Sequence, residues 1–253
     1  MKGQILESQY LLEAILKRES VPTFSKYPFN LNAVKNLQSL RFHPAMTYVV
    51  GENGSGKSTL LEAIAVALGF NPEGGTRNFG FSTRQSHSDL WKHIKLAKGF
   101  RRPKDGFFLR AESFFNVATN IEELDREPAN APPIIEAYGG VSLHEQSHGE
   151  SFMALAMNRF HGKGLYILDE PEAALSPSRQ LALLARIHEL IQEDSQFIIA
   201  THSPILMAYP NAILYLLEEN GPRELSYTET EHFEVTRDFL NNHEKMLKVL
   251  MES

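Results

Sequence analysis

The chain has 253 residues, a formal net charge of −6 and no cysteine. This length fits one substantial α/β domain, here taken as residues 1–253. The lack of cysteine excludes disulfides and cysteine-rich metal sites, and the acidic balance argues against a chain-wide nucleic-acid surface. Charges interrupt the N-terminal region and no apolar run could span a bilayer, so we expect a cytoplasmic protein without membrane insertion.

A glycine-rich loop lies between a predicted strand and a predicted helix. The apolar run Thr47–Val50 favours a buried strand, and apolar residues recur at helical spacing from Thr59 to Leu68, where Gly69 ends the helix. The loop fits G-x-x-x-x-G-K-[ST], whose backbone N–H groups curve around a polyphosphate at a helix N-terminus. The predicted nucleotide-binding residues are Gly51, Glu52, Asn53, Gly54, Ser55, Gly56, Lys57, Ser58 and Thr59.

Two side chains of this loop are predicted to act on the charged end of the nucleotide. Lys57 can reach the β- and γ-phosphates, and the Ser58 hydroxyl can ligate Mg²⁺. The chain has no [NT]KxD element, which favours ATP over GTP. Upstream, Tyr27 and Phe29 are predicted to pack in the core, with stacking on adenine as the alternative.

The pattern becomes irregular after the helix, and residues 74–146 are predicted to contain a small helical lobe or insertion. Within it, the stretch Trp91–Asp105 is strongly basic. We interpret it as a solvated helix and turn, or as a local phosphate-binding patch that would make DNA a partner. Its basic residues are Lys92, Lys95, Lys98, Arg101, Arg102 and Lys104.

A serine- and glycine-containing turn then opens another apolar helical pattern. The segment Ser147–Ser151 precedes Phe152, Leu155 and Phe160. Such a turn is either an ordinary capped helix, with Ser147 or Ser151 as the N-cap, or a second anion-binding helix N-terminus. One nucleotide does not need two such sites from the same subunit.

Two further apolar strands end in polar residues. Leu165–Leu168 leads into Asp169 and Glu170, and a buried parallel strand would deliver both acids to the ligand-binding edge of an open sheet. There Asp169 would hold Mg²⁺ and Glu170 would polarise the attacking water, whereas Glu172 either extends the acidic cluster or faces solvent. The next run, Gln196–Ala200, precedes His202.

The chain contains the segments GENGSGKSTLLEAIA, SHGES, ILDEPEAALSP and ATHSP. Together they resemble ATP-binding-cassette (ABC) ATPases over nearly the whole chain, especially the soluble branch related to RecF and SMC heads. The resemblance implies an α/β P-loop fold with a mainly parallel core sheet, an N-terminal antiparallel portion and a small helical lobe. It implies that the signature residues of one subunit contact the nucleotide held by the other, and that His202 contacts the γ-phosphate. The signature residues are Ser147, His148, Gly149 and Glu150.

Two positions depart from the family pattern. Ser176 stands where the family usually has aspartate, and Ser176-Pro177 is also a good helix start. The usual Q-loop glutamine is not obvious, so Glu112 is the candidate substitute and Gln85 the alternative. No sustained heptad pattern is present, which indicates a head without SMC-type arms.

The C-terminal third completes the predicted architecture. Pro177 begins a long helix, Ala212–Leu217 forms a strand that enters a hairpin, and Val235–Leu250 forms a packed helix. The apolar side of the first helix is assigned to Leu181, Leu184, Ile187, Leu190 and Ile191.

The sequence therefore predicts a Mg²⁺-dependent ATPase that forms an ATP-bridged homodimer and acts on an unknown protein partner. The residues predicted to carry the reaction are Lys57, Glu170 and His202, and Ser58 and Asp169 are the predicted metal ligands. Two alternatives stay open: a dimerisation switch with little turnover, and the detached ATPase subunit of a membrane transporter.

Overall fold

The structure is a computed structural model and describes residues 9–77, 88–126 and 132–252. Its strands are β1 (Leu11–Leu16), β2 (Ser39–Arg41), β3 (Met46–Val50), β4 (Ile94–Lys98), β5 (Asp105–Arg110), β6 (Gly164–Asp169), β7 (Gln196–Ala200), β8 (Ile213–Glu218) and β9 (Gly221–Glu224). Its α-helices are α1 (Asn32–Lys35), α2 (Lys57–Ala67), α3 (Phe114–Arg126), α4 (His148–Ala154), α5 (Pro177–Gln192) and α6 (Glu231–Glu252). None of the helices in these ranges is long and apolar enough to cross a lipid bilayer.

A six-stranded sheet forms the centre, in the order β5-β6-β7-β3-β8-β9. The first five strands in this order are parallel to one another: β5, β6, β7, β3 and β8. The last strand, β9, is antiparallel to β8. Ala200 is opposite both Val49 and Asp169, so β3, β6 and β7 end at the same edge. The residues that follow these three strands are therefore brought together.

A smaller antiparallel sheet, in the order β2-β1-β4, is joined to the first through Gln196. The buried Gln196 amide accepts hydrogen bonds from the backbone N–H groups of Tyr10 and Leu11 and donates to the carbonyls of Leu11 and His43. Because all of these groups are removed from water, the amide satisfies backbone atoms that would otherwise destabilise the junction. The predicted combination of a mainly parallel sheet with an antiparallel N-terminal portion is confirmed.

The two faces of the large sheet pack into two separate cores. Tyr48 and Val50 of β3 belong to one core, which includes Ile187 of α5, whereas Val49 belongs to the other, with Leu60 and Ile64 of α2. This division follows from the alternation of side chains along a strand. The glycine-rich loop lies on the same side of the sheet as the second core, since it leads directly into α2.

The predicted packing is wrong for Leu181 of α5 and for Tyr27. Leu181 of α5 is 58% exposed, and the buried stripe of that helix is Leu183, Ile187 and Leu190, which follows helical spacing more closely. Tyr27 is 63% exposed, so core packing holds for Phe29 and not for Tyr27.

The C-terminal helix α6 is also not packed as expected. It has no buried residue, although Phe233 in its first turn packs against the ring of Tyr227. The exposed apolar residues of α6 are Val235, Phe239, Leu240, Val249, Leu250 and Met251.

The basic stretch is not a helix and turn. A 3₁₀ turn, Asp89–His93, leads into β4, and a loop then leads into β5. In the range predicted for the helical lobe, β4 pairs with β1 and β5 with β6, and the described helical elements after β5 begin at Ala111. The division of the chain at residues 74–146 stays a prediction.

Candidate active site

The loop between β3 and α2 is shaped by left-handed glycines. Gly51, Gly54 and Gly56 have φ values of +149°, +82° and +99°. A Cβ atom added at Gly56 would lie 3.0 Å from the Cβ of Ala33 and 3.1 Å from the Cβ of Leu31. Residues with side chains rarely adopt these angles, and a side chain at Gly56 would also crowd α1 and its cap residue Leu31. The loop can therefore present successive N–H groups to an anion.

Lys57 is held inside this loop. Its side chain is 4% exposed, and Nζ donates hydrogen bonds to the carbonyls of Gly51, at 2.8 Å, and Glu52, at 3.0 Å. Burial lowers the pKa of the Lys57 ammonium, while the carboxylates of Glu170 and Asp169 oppose that shift. The hydroxyl of Ser55, also in the loop, is buried and has no hydrogen-bond partner within the described residues.

Ser58 and Asp169 meet at the end of β6. The Ser58 hydroxyl donates to Oδ1 of Asp169 at 3.1 Å. Burial raises the pKa of Asp169 to about 7, although the Ser58 hydrogen bond and the nearby Arg110 guanidinium lower it. The hydroxyl and carboxylate thus lie side by side immediately beyond the glycine loop.

The sequence reasoning missed Arg110, which ends β5 directly opposite Asp169. Its guanidinium donates to the buried carboxylate of Glu62 at 2.7 Å and lies 3.6 Å from Glu112. The only sequence signal was its position two residues before Glu112, the Q-loop candidate. Glu112 itself has an 89% exposed side chain, and Gln85, the alternative candidate, lies outside the described residues.

Glu170 adopts an unusual backbone conformation. Its φ of +52° and ψ of +53° are left-handed, and its N–H donates to the carbonyl of Ala200 at 2.9 Å. A non-glycine residue in this region costs about 1–2 kcal/mol, so the turn is maintained by its neighbours. It directs the carboxylate toward His202, whose Nε2 is 3.5 Å from Oε1 of Glu170.

Glu172 lies close enough to Glu170 and Lys57 to interact with both electrostatically, and it does not simply face solvent. One carboxylate oxygen accepts the backbone N–H of His202 at 2.5 Å, and the other is buried. Burial raises the pKa of Glu172, and the His202 hydrogen bond opposes that shift. Glu172 therefore fastens the loop after β7 to the turn after β6.

A second histidine completes this cluster. Nδ1 of His202 lies 3.0 Å from Nε2 of His232, which belongs to the first turn of α6. No motif in the sequence indicated His232. Both histidines line a cavity of about 670 Å³ that extends from the glycine loop to the β8–β9 hairpin.

The signature segment lies in a different environment. Ser147 caps α4 through a reciprocal box: its backbone N–H and hydroxyl donate to Glu150, and its oxygen accepts the Glu150 N–H. Glu150 also pairs with Arg179 at 3.2 Å. None of the residues Ser147 to Glu150 lines the cavity beside the glycine loop.

Gly149 and Ser176 connect the signature segment to the turn after β6. A Cβ atom at Gly149 would lie 2.5 Å from the carbonyl oxygen of Ala174, so no side chain fits without a shift. Ser176 caps α5 by accepting the N–H of Arg179 at 3.4 Å, as its interpretation as a helix start predicted. The two helix starts thus pack together on the surface.

Two protein-family models match the chain. One, described as an AAA domain, matches residues 28–121, and the other, described as "AAA domain, putative AbiEii toxin, Type IV TA system", matches residues 136–208.

Curated relatives include both a transport protein and a chromosome protein. The thiamine import ATP-binding protein ThiQ of Ruegeria sp. is 27% identical over 70% of this chain and 85% of its own length. The chromosome partition protein Smc of Methanocaldococcus jannaschii is 27% identical over 54% of this chain and 14% of its own length.

Among solved structures, CbiO1 of Clostridium perfringens, part of the ABC transporter complex CbiONQ, covers 97% of this chain and 100% of its own. Its TM-score is 0.50 at 15% identity, so the likeness is one of fold.

A parallel sheet with a glycine loop, a buried lysine and a strand-end aspartate defines a P-loop nucleotide-binding protein. With the family matches, the relatives and the shared fold, the predicted resemblance to ABC-type P-loop ATPases, enzymes that bind and hydrolyse ATP, is confirmed. The assignment of the chain to the RecF and SMC-head branch stays a prediction, because both transporter ATPases and Smc are among the relatives.

Proposed function

We propose that two copies of this chain bind two ATP molecules between them, each held by the glycine loop of one copy and the signature segment of the other. The observation that carries this proposal is the separation of the two elements. Lys57 interacts electrostatically with both Asp169 and His202 beside the loop, whereas Ser147 and Glu150 are exposed and bond to each other. A second copy would supply the missing half.

The residues present fit a magnesium nucleotide. Ser58 and Asp169 offer a hydroxyl and a carboxylate 3.1 Å apart, and the described residues contain no group of three histidine, cysteine or acidic side chains that could hold a metal alone. Mg²⁺ in nucleotide sites uses one or two protein oxygens and completes its shell with phosphates and water. When bound, the ion would neutralise phosphate charge.

The chain's own side chains divide the remaining work. Lys57 exchanges its two carbonyl partners for phosphate oxygens, which retains its charge in a buried position. Glu170 accepts a proton from the attacking water at its carboxylate, and His202 directs Nε2 to the same place. The glycine loop contributes fixed N–H dipoles, so charge is stabilised without reorganisation.

Glu170→Gln tests this assignment. We expect turnover to fall by about 10²–10⁴-fold while ATP binding persists, because an amide cannot act as a general base. The same variant with ATP should change from monomer to dimer in light scattering, and Mg²⁺ chelation should abolish parent activity. Glu234→Gln, on the exposed surface of α6, is the matched control. Equal turnover in Glu170→Gln and the parent would contradict the proposal.

The dimerisation switch differs from this proposal only in its turnover. Ser176 and the exposed Glu112 are the departures that favour it. A parent protein that dimerises with ATP but hydrolyses it at the rate of Glu170→Gln would be such a switch. Membership of a membrane transporter, suggested by relatives named as transport ATP-binding proteins, predicts co-purification with an integral membrane protein.

We propose DNA binding as a second function of the basic stretch, on a specific observation. Phe100 is 99% exposed and lies between Lys98 and Arg101 in a cleft of about 560 Å³ that Arg102 and Arg77 also line. An exposed aromatic ring among cations is the combination that stacks a base while neutralising its backbone.

This cleft lies at the edge of the large sheet where β5 and β6 begin, opposite the edge that carries the glycine loop. Lys104 and Lys163, which line the adjoining cavity, immediately precede β5 and β6, whereas the glycine loop follows the end of β3. Because the glycine loop is at the other edge, we expect DNA binding here both with and without ATP.

Labelled single-stranded and duplex oligonucleotides at two salt concentrations test this function. We expect binding that weakens steeply with salt, is lost when Arg101 and Arg102 become Glu, and is reduced by Phe100→Ala more for the single strand. Lys245→Glu with Lys248→Glu, on exposed positions of α6, is the control for net charge. No binding at low salt, or equal binding in all variants, would contradict it.

A further inference from the structure

We propose that His232 is a positioning residue that keeps the ring proton of His202 on Nε2, the nitrogen nearest Glu170. The two imidazoles lie in a row from the start of α6 to the carboxylate of Glu170. Nε2 of His232 lies 3.0 Å from Nδ1 of His202, and Nε2 of His202 lies 3.5 Å from Oε1 of Glu170.

The carboxylate of Glu170 determines the direction of the hydrogen bond between the two histidines. A neutral imidazole carries one N–H and one lone pair. The carboxylate of Glu170 attracts an N–H and repels a lone pair, so the proton of His202 belongs on Nε2. Nδ1 of His202 is then an acceptor, and the hydrogen bond at 3.0 Å requires His232 to donate from its own Nε2.

Both rings are neutral in this arrangement. Burial lowers the pKa of His202, and nearby Lys57 lowers it further, while Glu170 opposes the shift. Burial also lowers the pKa of His232, as does its proximity to His202. Two neutral rings share one hydrogen bond without repulsion, which two imidazolium ions could not do.

His232 is held in place by its surroundings. Thr230 caps the first turn of α6, since its hydroxyl oxygen accepts the N–H of Phe233 at 3.2 Å. The Tyr227 hydroxyl donates to the carbonyl of Pro204 at 2.9 Å, and its ring packs against Phe233 with centroids 4.7 Å apart. The turn before α6 is therefore tied to the loop that contains His202.

The consequence concerns Nε2 of His202. Nε2 of His202 is buried and has no hydrogen-bond partner among the residues that the structure describes. With its proton fixed there, His202 offers a ready donor beside Glu170. The benefit to turnover rests on the role proposed above for His202, whereas the tautomer itself does not.

Ring nitrogen-15 NMR of histidine-labelled protein without nucleotide tests the tautomer. His202→Gln identifies the His202 signals among the ten histidines. We expect the parent to show His202 protonated at Nε2, with Nδ1 shifted as a hydrogen-bond acceptor. His232→Phe should move the Nδ1 signal to that of an unbonded nitrogen, and His232→Gln, whose amide can donate, should restore it. His202 protonated at Nδ1, or an Nδ1 signal unchanged by His232→Phe, would overturn the proposal.

Steady-state kinetics separate this proposal from the function on which its benefit depends. We expect His232→Phe to lower kcat by about 3- to 10-fold with little change in KM, the effect of losing one hydrogen bond, and His232→Gln to recover most of it. His243→Phe, exposed on the same helix, is the control. If NMR gave the expected result but kcat were unchanged in both His232→Phe and His202→Gln, the tautomer assignment would stand. The role of His202 in turnover would then be refuted.

Discussion

The glycine-loop region and the signature segment satisfy their polar groups in opposite ways. Lys57 is buried and donates to carbonyls of its own loop, and Ser58 donates to Asp169 from the neighbouring strand. Ser147 instead is exposed and bonds within a single helical turn to Glu150. The first region is a site held by the core of the molecule, whereas the second is a surface element whose proposed ligand comes with another molecule.

The largest expected effect comes from the buried region. Lys57→Ala should weaken ATP binding by about 10²-fold or more, because hydrogen bonds to a charged group contribute about 1.5–3 kcal/mol each and the ammonium can make two. Isothermal titration calorimetry measures the change directly.

Lys95→Ala, an exposed lysine of β4, is the matched control and should bind ATP as the parent does. If both alanine variants bound ATP with parental affinity, the buried ammonium would not contact the nucleotide, and the comparison between the two regions would lose its basis.

The sequence was sufficient to predict the elements of the buried region because each has a local signal. The strand before the loop, the helix ended by Gly69 and the helix begun by Pro177 are where periodicity and punctuation placed them. Burial of α6 could not be predicted in this way. Its apolar residues have helical spacing, but spacing does not show whether another element covers them.

The candidate site was predicted where a recognisable sequence motif lies at or just after the end of an apolar strand. Asp169 and His202 belong to this group. Arg110 and His232 were missed because their proximity arises from pairing between distant strands and from the path of the C-terminal turn. The fastening role of Glu172 was equally hidden, since only the fold brings its carboxylate to the backbone of His202.

An intermediate effect is expected at the surface element. In a Glu170→Gln background with ATP, Ser147→Arg should weaken dimerisation by at least about tenfold while leaving ATP binding by the monomer unchanged. The reason is that nucleotide and association are coupled only through the surface that the arginine obstructs. Light scattering over a range of protein concentrations gives the shift.

Ser226→Arg provides a close control, because Ser226 forms the same reciprocal capping box with Glu229 at a different place on the surface. It should dimerise normally. Equal dimerisation by both arginine variants would mean that the signature segment lies outside the interface, and equal loss in both would attribute the effect to the cap and not to the nucleotide.

The smallest effect is expected when a single glycine in each region is replaced by alanine. Gly149→Ala should lower Tm by a few degrees without changing ATP affinity, since its Cβ would lie 2.5 Å from the Ala174 carbonyl and overpacking costs about 1–3 kcal/mol. Gly54→Ala should lower ATP affinity as well as Tm: it has open space around the Cβ, but its φ of +82° is strained for alanine in the loop proposed to contact phosphate.

Gly140→Ala separates strain from function, because Gly140 has a φ of +75° and equally open surroundings but lies outside both motifs. We expect Gly54→Ala and Gly140→Ala to lose similar stability in thermal unfolding, and only Gly54→Ala to lose ATP affinity. A loss of affinity in Gly149→Ala as large as that in Gly54→Ala would place the signature segment at the nucleotide of its own chain. The separation of the two regions, and with it the argument for a second copy, would then be wrong.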